Sequence, residues 1–432
     1  MTNERDMTRP DTLCAYPWTH LFVSNAGRQL PCCFAQSNVE EVRRVEPIDA
    51  AASDLDALWS STQIRELRLQ MIRGERPALC SGCFAAEDSG CRSPRQDANE
   101  VHPPEEIARL VESTSSDGAV ASAFRSIDLR LGNQCNLRCR MCSPHSARQL
   151  IPEWSRTGDP EMVALANESA QQRTWVKTRG VWDSLLASAG DVESIHFAGG
   201  EPALIDEHHD FLRKLVATGR APRVRLSYST NLTRILPDLE TYLDHFKAIH
   251  MIGSLDGYAE VNGYIRFPAK WDVLVRNLEA LDALASRSPA LSLDLHTTVQ
   301  AYNLTRITEL LQFLEDSHLR NVPAVPAWTP VTFPPYFNPR VLLPELKHLA
   351  RDRYVAFRTR PRSSRTPLEE QRLDELEHIL DLAIAESSSR DTAAFVAMTQ
   401  FFDRERRENV TDVIPELGGM FTPPSPALPA AL

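Results

Sequence analysis

The sequence predicts an α/β fold of parallel strand–helix units, and three observations carry that prediction. Between Arg125 and Trp328, short apolar or alternating runs repeatedly give way to segments with helical spacing, the pattern of βα units in a parallel sheet. Six runs read as strands: 126–131, 193–198, 224–229, 247–254, 291–299 and 319–326. The intervening helices carry apolar stripes. Asp206 reads as the cap of a helix with Phe211, Leu212, Leu215 and Val216 that stops at Gly219. Leu274, Leu278, Leu281 and Ala285 mark the next, and Thr305 opens a third with Ile307, Leu310, Leu311 and Leu314. These stripes are core rather than ligand contacts.

A chain of 432 residues exceeds one ordinary core, so a main domain of about 200 residues with additions is expected. Hydrophobic residues make up 42% and charged residues 24%, the balance of a soluble globular protein. The net charge of −11, with no basic run, argues against nucleic acid or an anionic membrane as the main partner. No apolar stretch approaches the length of a membrane span, and Met1–Pro10 is polar without a signal-peptide core, so a cytoplasmic location is expected. The nine cysteines, all before residue 143, are then better explained by metal than by disulfides.

The stretch from Ser126 to Pro144, SIDLRLGNQCNLRCRMCSP, begins as a strand with Ile127, Leu129 and Leu131 on one face. A loop at Gly132-Asn133 follows and carries Cys135, Cys139 and Cys142. Three thiolates so close in sequence can turn toward one inorganic body, and soft sulfur selects zinc or iron–sulfur clusters. A cubane would keep one iron free of protein ligands, open to a small molecule; His145 would instead complete a Cys-Cys-Cys-His zinc site.

Towards the N-terminus, Trp18–Val23 and Arg28–Leu30 read as a hairpin turning at Asn25-Ala26-Gly27, which brings Cys14 near Cys32 and Cys33. One or two amphipathic helices follow over 54–73, then Cys80-x-x-Cys83 and Cys91. A Cys-x-x-Cys pair against a second pair on a hairpin makes a four-thiolate site for zinc or iron–sulfur alike. Cys33 and Cys91 are left over, as packed thiols or swapped ligands. After a helix over 104–111, the small polar run ESTSSDGAVAS reads as a linker. The expected divisions are 1–112, linker 113–125, barrel-forming units 126–328, a helical extension 329–417, and a disordered tail 418–432.

The Cys-x-x-x-Cys-x-x-Cys loop after a strand resembles the cluster loop of the radical S-adenosylmethionine (SAM) enzymes. The resemblance implies an open, partial (β/α)6 barrel of the TIM type, a [4Fe–4S] cluster on Cys135, Cys139 and Cys142, and SAM chelated to the open iron. Ala198-Gly199-Gly200-Glu201-Pro202 matches the motif that contacts the SAM amino group, although such a turn alone could simply be a helix entry. Ser229 and Asn231 after the third strand, and Ser254 and Asp256 after the fourth, offer polar groups to the same ligand. The resemblance sets Arg266 against the SAM carboxylate, Val299 against adenine, and Met141 where relatives have an aromatic residue.

The N-terminal segment resembles the twitch and SPASM modules, which hold auxiliary [4Fe–4S] clusters. The residues that match are Cys14 with Pro17-Trp18, Gly27 before Pro31-Cys32-Cys33, IRELRLQMIRGERP, Cys80 and Cys83, and Glu87, Gly90, Ser93 and Arg95. Six cysteines cannot fully ligate two cubanes, so one auxiliary cluster on Cys14, Cys32, Cys80 and Cys83 is expected, and in a radical enzyme the spare Cys33 or Cys91 could also donate a hydrogen atom to a substrate radical. A module of this kind in front of the barrel is similar to the twitch domain-containing radical SAM proteins.

Beyond Trp328 a proline-rich run leads to helices over 367–387 and 392–407, expected to cover the barrel's open side and exclude water. The implied activity is hydrogen-atom abstraction from a peptide or small biosynthetic metabolite, with ferredoxin or flavodoxin supplying the electron. Oxidation or cross-linking, redox-neutral epimerisation, and a non-catalytic zinc-stabilised binding module are distinct outcomes of the same sequence.

Overall fold

The computed structural model describes residues 11–37, 39–45, 55–88, 92–171, 175–188, 190–361, 365–385 and 389–421. Cys91, Gly90 and residues 422–432 of the tail expected over 418–432 lie outside the described residues.

One eight-stranded sheet organises the chain: β1 (His20–Val23), β2 (Gln29–Leu30), β3 (Ser126–Arg130), β4 (Ser194–Ala198), β5 (Arg225–Thr230), β6 (Ala248–Ser254), β7 (Leu291–Val299) and β8 (Ala327–Pro330). Their order is β2-β1-β3-β4-β5-β6-β7-β8; β1 and β2 are antiparallel, and every other neighbouring pair is parallel. The fold is mixed α/β with a partial TIM-type barrel, a small N-terminal domain and C-terminal helices.

The central strands β5, β6 and β7 alternate. In β6 every second residue is buried and the rest are half-exposed, and β7 behaves alike. The buried set, which includes Phe197, Tyr228, Met251, Leu293 and Leu295, packs against Phe211, Leu212, Leu215, Leu274, Leu278, Leu281, Leu310 and Leu314 of the covering helices. Each such side chain contributes about 1.5–3 kcal/mol of transfer free energy, which fixes the register because a one-residue slip would expose the whole set. The helices are Asp206–Ala217, Trp271–Ala285 and Ile307–Asp316. Asp206 is the first helical residue rather than the cap, a position held by Ile205; its charge still suits the helix N-terminus.

The sixth barrel strand falls at 327–330 instead of 319–326. Asp282 captures the backbone N–H groups of Arg320 and Asn321 at 2.9 and 2.7 Å. Pro323 and Pro326 have no N–H to give a ladder, so pairing begins only after them. At the other end, Pro17 and Trp18 form a helical turn, Tyr16–Thr19, and β1 starts at His20.

The hairpin β1–β2 joins the barrel sheet itself, through β1 to β3. Gly27 makes its turn at φ +72°, with Trp175 packed where a side chain would stand. The run expected as a linker is pinned: buried Arg68 donates to the carbonyls of Pro17, Trp59 and Gly118, and Trp59 Nε1 donates to Ser122 O at 2.9 Å. The C-terminal helices Pro344–Arg358, Pro367–Ala385 and Ser389–Arg406 share a second core with the segments that follow the strands. Gly418–Phe421 forms a last helical turn, at the start of the span expected to be disordered. Among the described residues no helix is long and apolar enough to cross a membrane.

Candidate functional site

Cys135, Cys139 and Cys142 lie on the loop after β3, at the carboxyl end of the sheet, and the loop is fastened on every side. Asn133 Nδ2 donates to Pro144 O at 3.1 Å, closing its base. The backbone N–H of Arg138 and Arg140 reach Phe267 O and Ile265 O at 2.6 and 2.8 Å. On the other flank Gly200 comes so close that an added Cβ would stand 2.2 Å from Gln134 O, and Glu201 N donates to that oxygen at 2.9 Å. Gly199, at φ +115°, leaves no room for a Cβ beside Leu131 N. Both glycines therefore serve the packing of the Gly-Gly-Glu turn on the cysteine loop.

Cys139 is buried, while Cys135 and Cys142 are half-buried against the C-terminal core. Asn231 Nδ2 lies 3.7 Å from Cys135 Sγ, and the Leu137 N–H 3.5 Å from it. Burial pushes the Cys135 thiol up to about 12. Cys139 is pulled below its ordinary value by a hydrogen bond from Cys142 and by the guanidinium of Arg266. Arg266 Nε stands 2.7 Å from Asp256 Oδ2, and Asp256 Oδ1 accepts from Thr298 N at 2.8 Å. A cation thus sits beside two thiols, held by a carboxylate anchored to β7.

Glu201 is buried and accepts from Thr230 Oγ1 and Asn231 N, both at 2.8 Å. Burial nevertheless raises its carboxyl to about 7, against the pull of those hydrogen bonds. Ser229 Oγ lies 3.3 Å from His196 Nε2. Ser254, Ser229 and Met141 keep partly exposed surface, and Pro202 is buried at the start of the turn after β4. Val299 shares the outward register of Leu293, Leu295 and Thr297, has no exposed surface, and packs with the C-terminal core.

The N-terminal cysteines converge as well. Cys14, Cys32, Cys80 and Cys83 line one small cavity with Tyr16, Met71 and Arg95. Glu87, Ser93 and Arg95 brace it: Ser93 and Arg95 donate to Glu87, and Arg95 NH1 donates to Leu13 O at 2.8 Å. Burial raises Cys14 to about 12 and raises Cys32, Cys80 and Cys83 too; thiolates there require a bound cation to compensate them. Cys33 does not line this cavity and turns to Arg130 and Asp128. His145, which a zinc reading would make the fourth ligand, has Nδ1 3.2 Å from Ser169 Oγ. Among the described residues no three His, Cys, Asp or Glu side chains are grouped to hold a single metal ion; a cubane spreads its thiolates over a body larger than one ion.

Two features escaped the sequence. Arg140, fully buried, reaches Asp403 and Glu408 at 2.7 and 2.9 Å and stacks 3.6 Å over Tyr264. Arg138 and Arg406 both reach the buried Glu153 at 2.7 Å. Arginines inside a cysteine loop read as solvated charge, yet they tie the loop to the C-terminal helix. The second is the barrel's inner face, where His196, Ser227, Ser229, His250, Asp294 and His296 alternate with the apolar core positions. Burial lowers His196 to about 3 and also lowers His250 and His296, so this accessible face presents neutral imidazoles.

Residues 129–314 match the radical SAM superfamily, and residues 14–84 match SPASM, an iron–sulfur cluster-binding domain. The chain carries a radical SAM superfamily domain with a SPASM iron–sulfur domain in front of it. The cofactors that go with these two domains are SAM, the radical SAM [4Fe–4S] cluster and a SPASM auxiliary iron–sulfur cluster. No curated protein matches it. Among solved structures, native anSMEcpe with bound AdoMet and Cp18Cys peptide aligns at 14% identity, covering 54% of this chain and 59% of that chain, with a TM-score of 0.33. Streptococcus suis SuiB bound to S-adenosylmethionine aligns at 12% identity, covering 69% and 64%, with a TM-score of 0.34. SuiB bound to precursor peptide SuiA aligns at 12%, covering 82% and 68%, with a TM-score of 0.33. The chain thus spans less than two thirds of the first two.

Proposed function

We propose that Cys135, Cys139 and Cys142 hold the radical SAM cluster, that Cys14, Cys32, Cys80 and Cys83 hold the auxiliary one, and that the substrate occupies the polar barrel interior. When bound, the cluster and SAM supply one-electron cleavage of the sulfonium to a 5′-deoxyadenosyl radical, which removes a hydrogen atom from the substrate. The chain's own part is to bind, orient and exclude water. Glu201 and the Gly199-Gly200 turn receive the SAM amino group, and Arg266, oriented by Asp256, receives its carboxylate. Ser229, Asn231 and Ser254 offer hydrogen bonds along the same rim, and Met141 packs against the adenine. The observation that carries this assignment is the three-cysteine loop seated at the carboxyl end of the sheet, beside a buried carboxylate and a buried guanidinium.

The electron comes from a ferredoxin or flavodoxin, and the substrate is a peptide or a small biosynthetic metabolite. A cluster held by Cys14, Cys32, Cys80 and Cys83 would supply an electron acceptor for substrate oxidation or cross-linking, or an anchor for the substrate. The position of Cys33 outside the four-thiol cavity favours a redox-neutral outcome, such as epimerisation, as the second possibility. The test is anaerobic incubation with SAM and dithionite. The wild type forms 5′-deoxyadenosine, and Cys139→Ala forms none while keeping its auxiliary iron; continued formation removes Cys139 from the assignment.

A further inference from the structure

Cys33 follows Cys32 directly, yet the two thiols face different places. Cys32 lines the four-thiol cavity. Cys33 is exposed, and its sulfur lies against the Arg130 guanidinium, with Asp128 beside it. Arg130 and Asp128 are inner-face residues of β3; Arg130 NH2 donates to Asp128 Oδ2 at 2.8 Å, and the guanidinium stacks 5.5 Å from the Phe22 ring of β1. The register sets Asp128 across from His196. Cys33 is therefore an accessible thiol on the wall of the barrel interior.

A second observation marks this wall as ligand-facing. Asp128 is 5% exposed, and its Oδ1 has no hydrogen-bond partner; Arg130 Nε, next to it, has none either. Buried polar atoms are normally satisfied, so an orphaned acceptor and an orphaned donor side by side point to a polar group that completes them when it binds. Cys33 stands on the β1–β3 wall, whereas Glu201, Asn231 and Arg266 follow β4, β5 and β6. Because β3 pairs directly with β4, this wall adjoins the SAM-facing groups.

We propose that Cys33 is a hydrogen-atom donor to a carbon radical formed in the barrel interior. This rests on the radical SAM assignment above and adds the fate of the radical. The carbon radical takes the hydrogen atom of the Cys33 S–H bond, a C–H bond forms, and Cys33 becomes a thiyl radical. One electron from a low-potential one-electron reductant, and one proton from water, restore the thiol. A thiol suits this role because its S–H bond is weaker than an aliphatic C–H bond, so the transfer runs downhill. The hydrogen atom returned from Cys33 balances the one abstracted, so the net change at the substrate is redox-neutral rather than an oxidation.

The test uses SAM and dithionite alone in D2O, with the anaerobic holoenzyme, so the 5′-deoxyadenosyl radical itself is the carbon radical probed. The wild type yields 5′-deoxyadenosine carrying one deuterium from the exchanged thiol. Cys33→Ser, whose O–H bond is too strong to donate, yields 5′-deoxyadenosine that has lost this deuterium, with iron and sulfide contents equal to the wild type. Alkylation of the holoenzyme followed by peptide mapping labels Cys33 and spares Cys14, Cys32, Cys80 and Cys83. Deuterium retained in Cys33→Ser, or absent from the wild type, overturns the donor role; iron lost from Cys33→Ser overturns it in favour of a cluster ligand. Absence of 5′-deoxyadenosine from both proteins would instead sink the assignment on which the proposal rests.

Discussion

Glu201 shows how one residue couples the site to stability. It is buried with both oxygens occupied, one by a hydroxyl and one by a backbone N–H. Burial lifts its carboxyl from 4.5 to about 7, so the folded protein binds this proton more tightly than the unfolded chain does. The contribution is therefore fully present below pH 4.5 and is lost as pH rises toward and through about 7. A shift of this size corresponds to about 3 kcal/mol across that window. Glu201→Gln, in which the Thr230 hydroxyl can accept from the new amide, removes the dependence. Urea unfolding of the metal-free proteins across the window should show the wild type losing stability as pH rises and the variant staying flat on this account; parallel curves would mean that Glu201 does not titrate there. The same residue explains what SAM gains, because an ammonium group supplies the charge that burial denies the carboxylate.

At the scale of elements, the glycine turn after β4 and the cysteine loop after β3 form one unit. Gly200→Ala puts a Cβ where Gln134 O now stands, at 2.2 Å, and a backbone oxygen held by the Glu201 N–H has little room to yield. The expected result is a displaced cysteine loop in a folded protein, with iron per chain falling by about half because the auxiliary site is untouched. Iron and sulfide analysis with far-ultraviolet circular dichroism checks it; full iron content would show that the loop adapts. The motif was legible in the sequence, but the reason for its glycines was not, since the close approach is between two loops joined by no local pattern. The strands were legible wherever apolar alternation met a turn signal. The sixth was misplaced because a long-range acceptor, Asp282, takes two backbone N–H groups that propensity assigns to a ladder. Cys14, Cys32, Cys80 and Cys83 were singled out by resemblance and line one cavity, whereas the hairpin's pairing with β3 depends on residues about a hundred positions apart.

At the scale of the whole molecule, the C-terminal helices are latched to the cysteine loop by charge. Glu153 is buried between Arg138, which follows Leu137 in the loop, and Arg406 at the end of the Ser389–Arg406 helix. Arg140 reaches Asp403 of that helix and Glu408 just beyond it. Arg372 of the preceding helix grips Asp294 on the inner face of β7 at 2.6 and 2.8 Å, so the helices close over the barrel from two sides. A cluster with an open iron and a carbon radical both need solvent and oxygen held away, and a latch of this kind does so only while its charges are paired. Arg406→Met keeps much of the stem packed on Phe402 but removes one partner from a buried carboxylate that retains Arg138. The loss is about 1.5–3 kcal/mol, the range of one charged hydrogen bond, and falls on the helix rather than on the sheet. Faster bleaching of the cluster absorbance in air is expected for Arg406→Met than for the wild type, with equal iron before exposure. Equal bleaching rates, together with unchanged hydrogen exchange in the Ser389–Arg406 helix, would show that apolar packing alone holds the helix shut and that the buried ion pairs serve only to orient the loop.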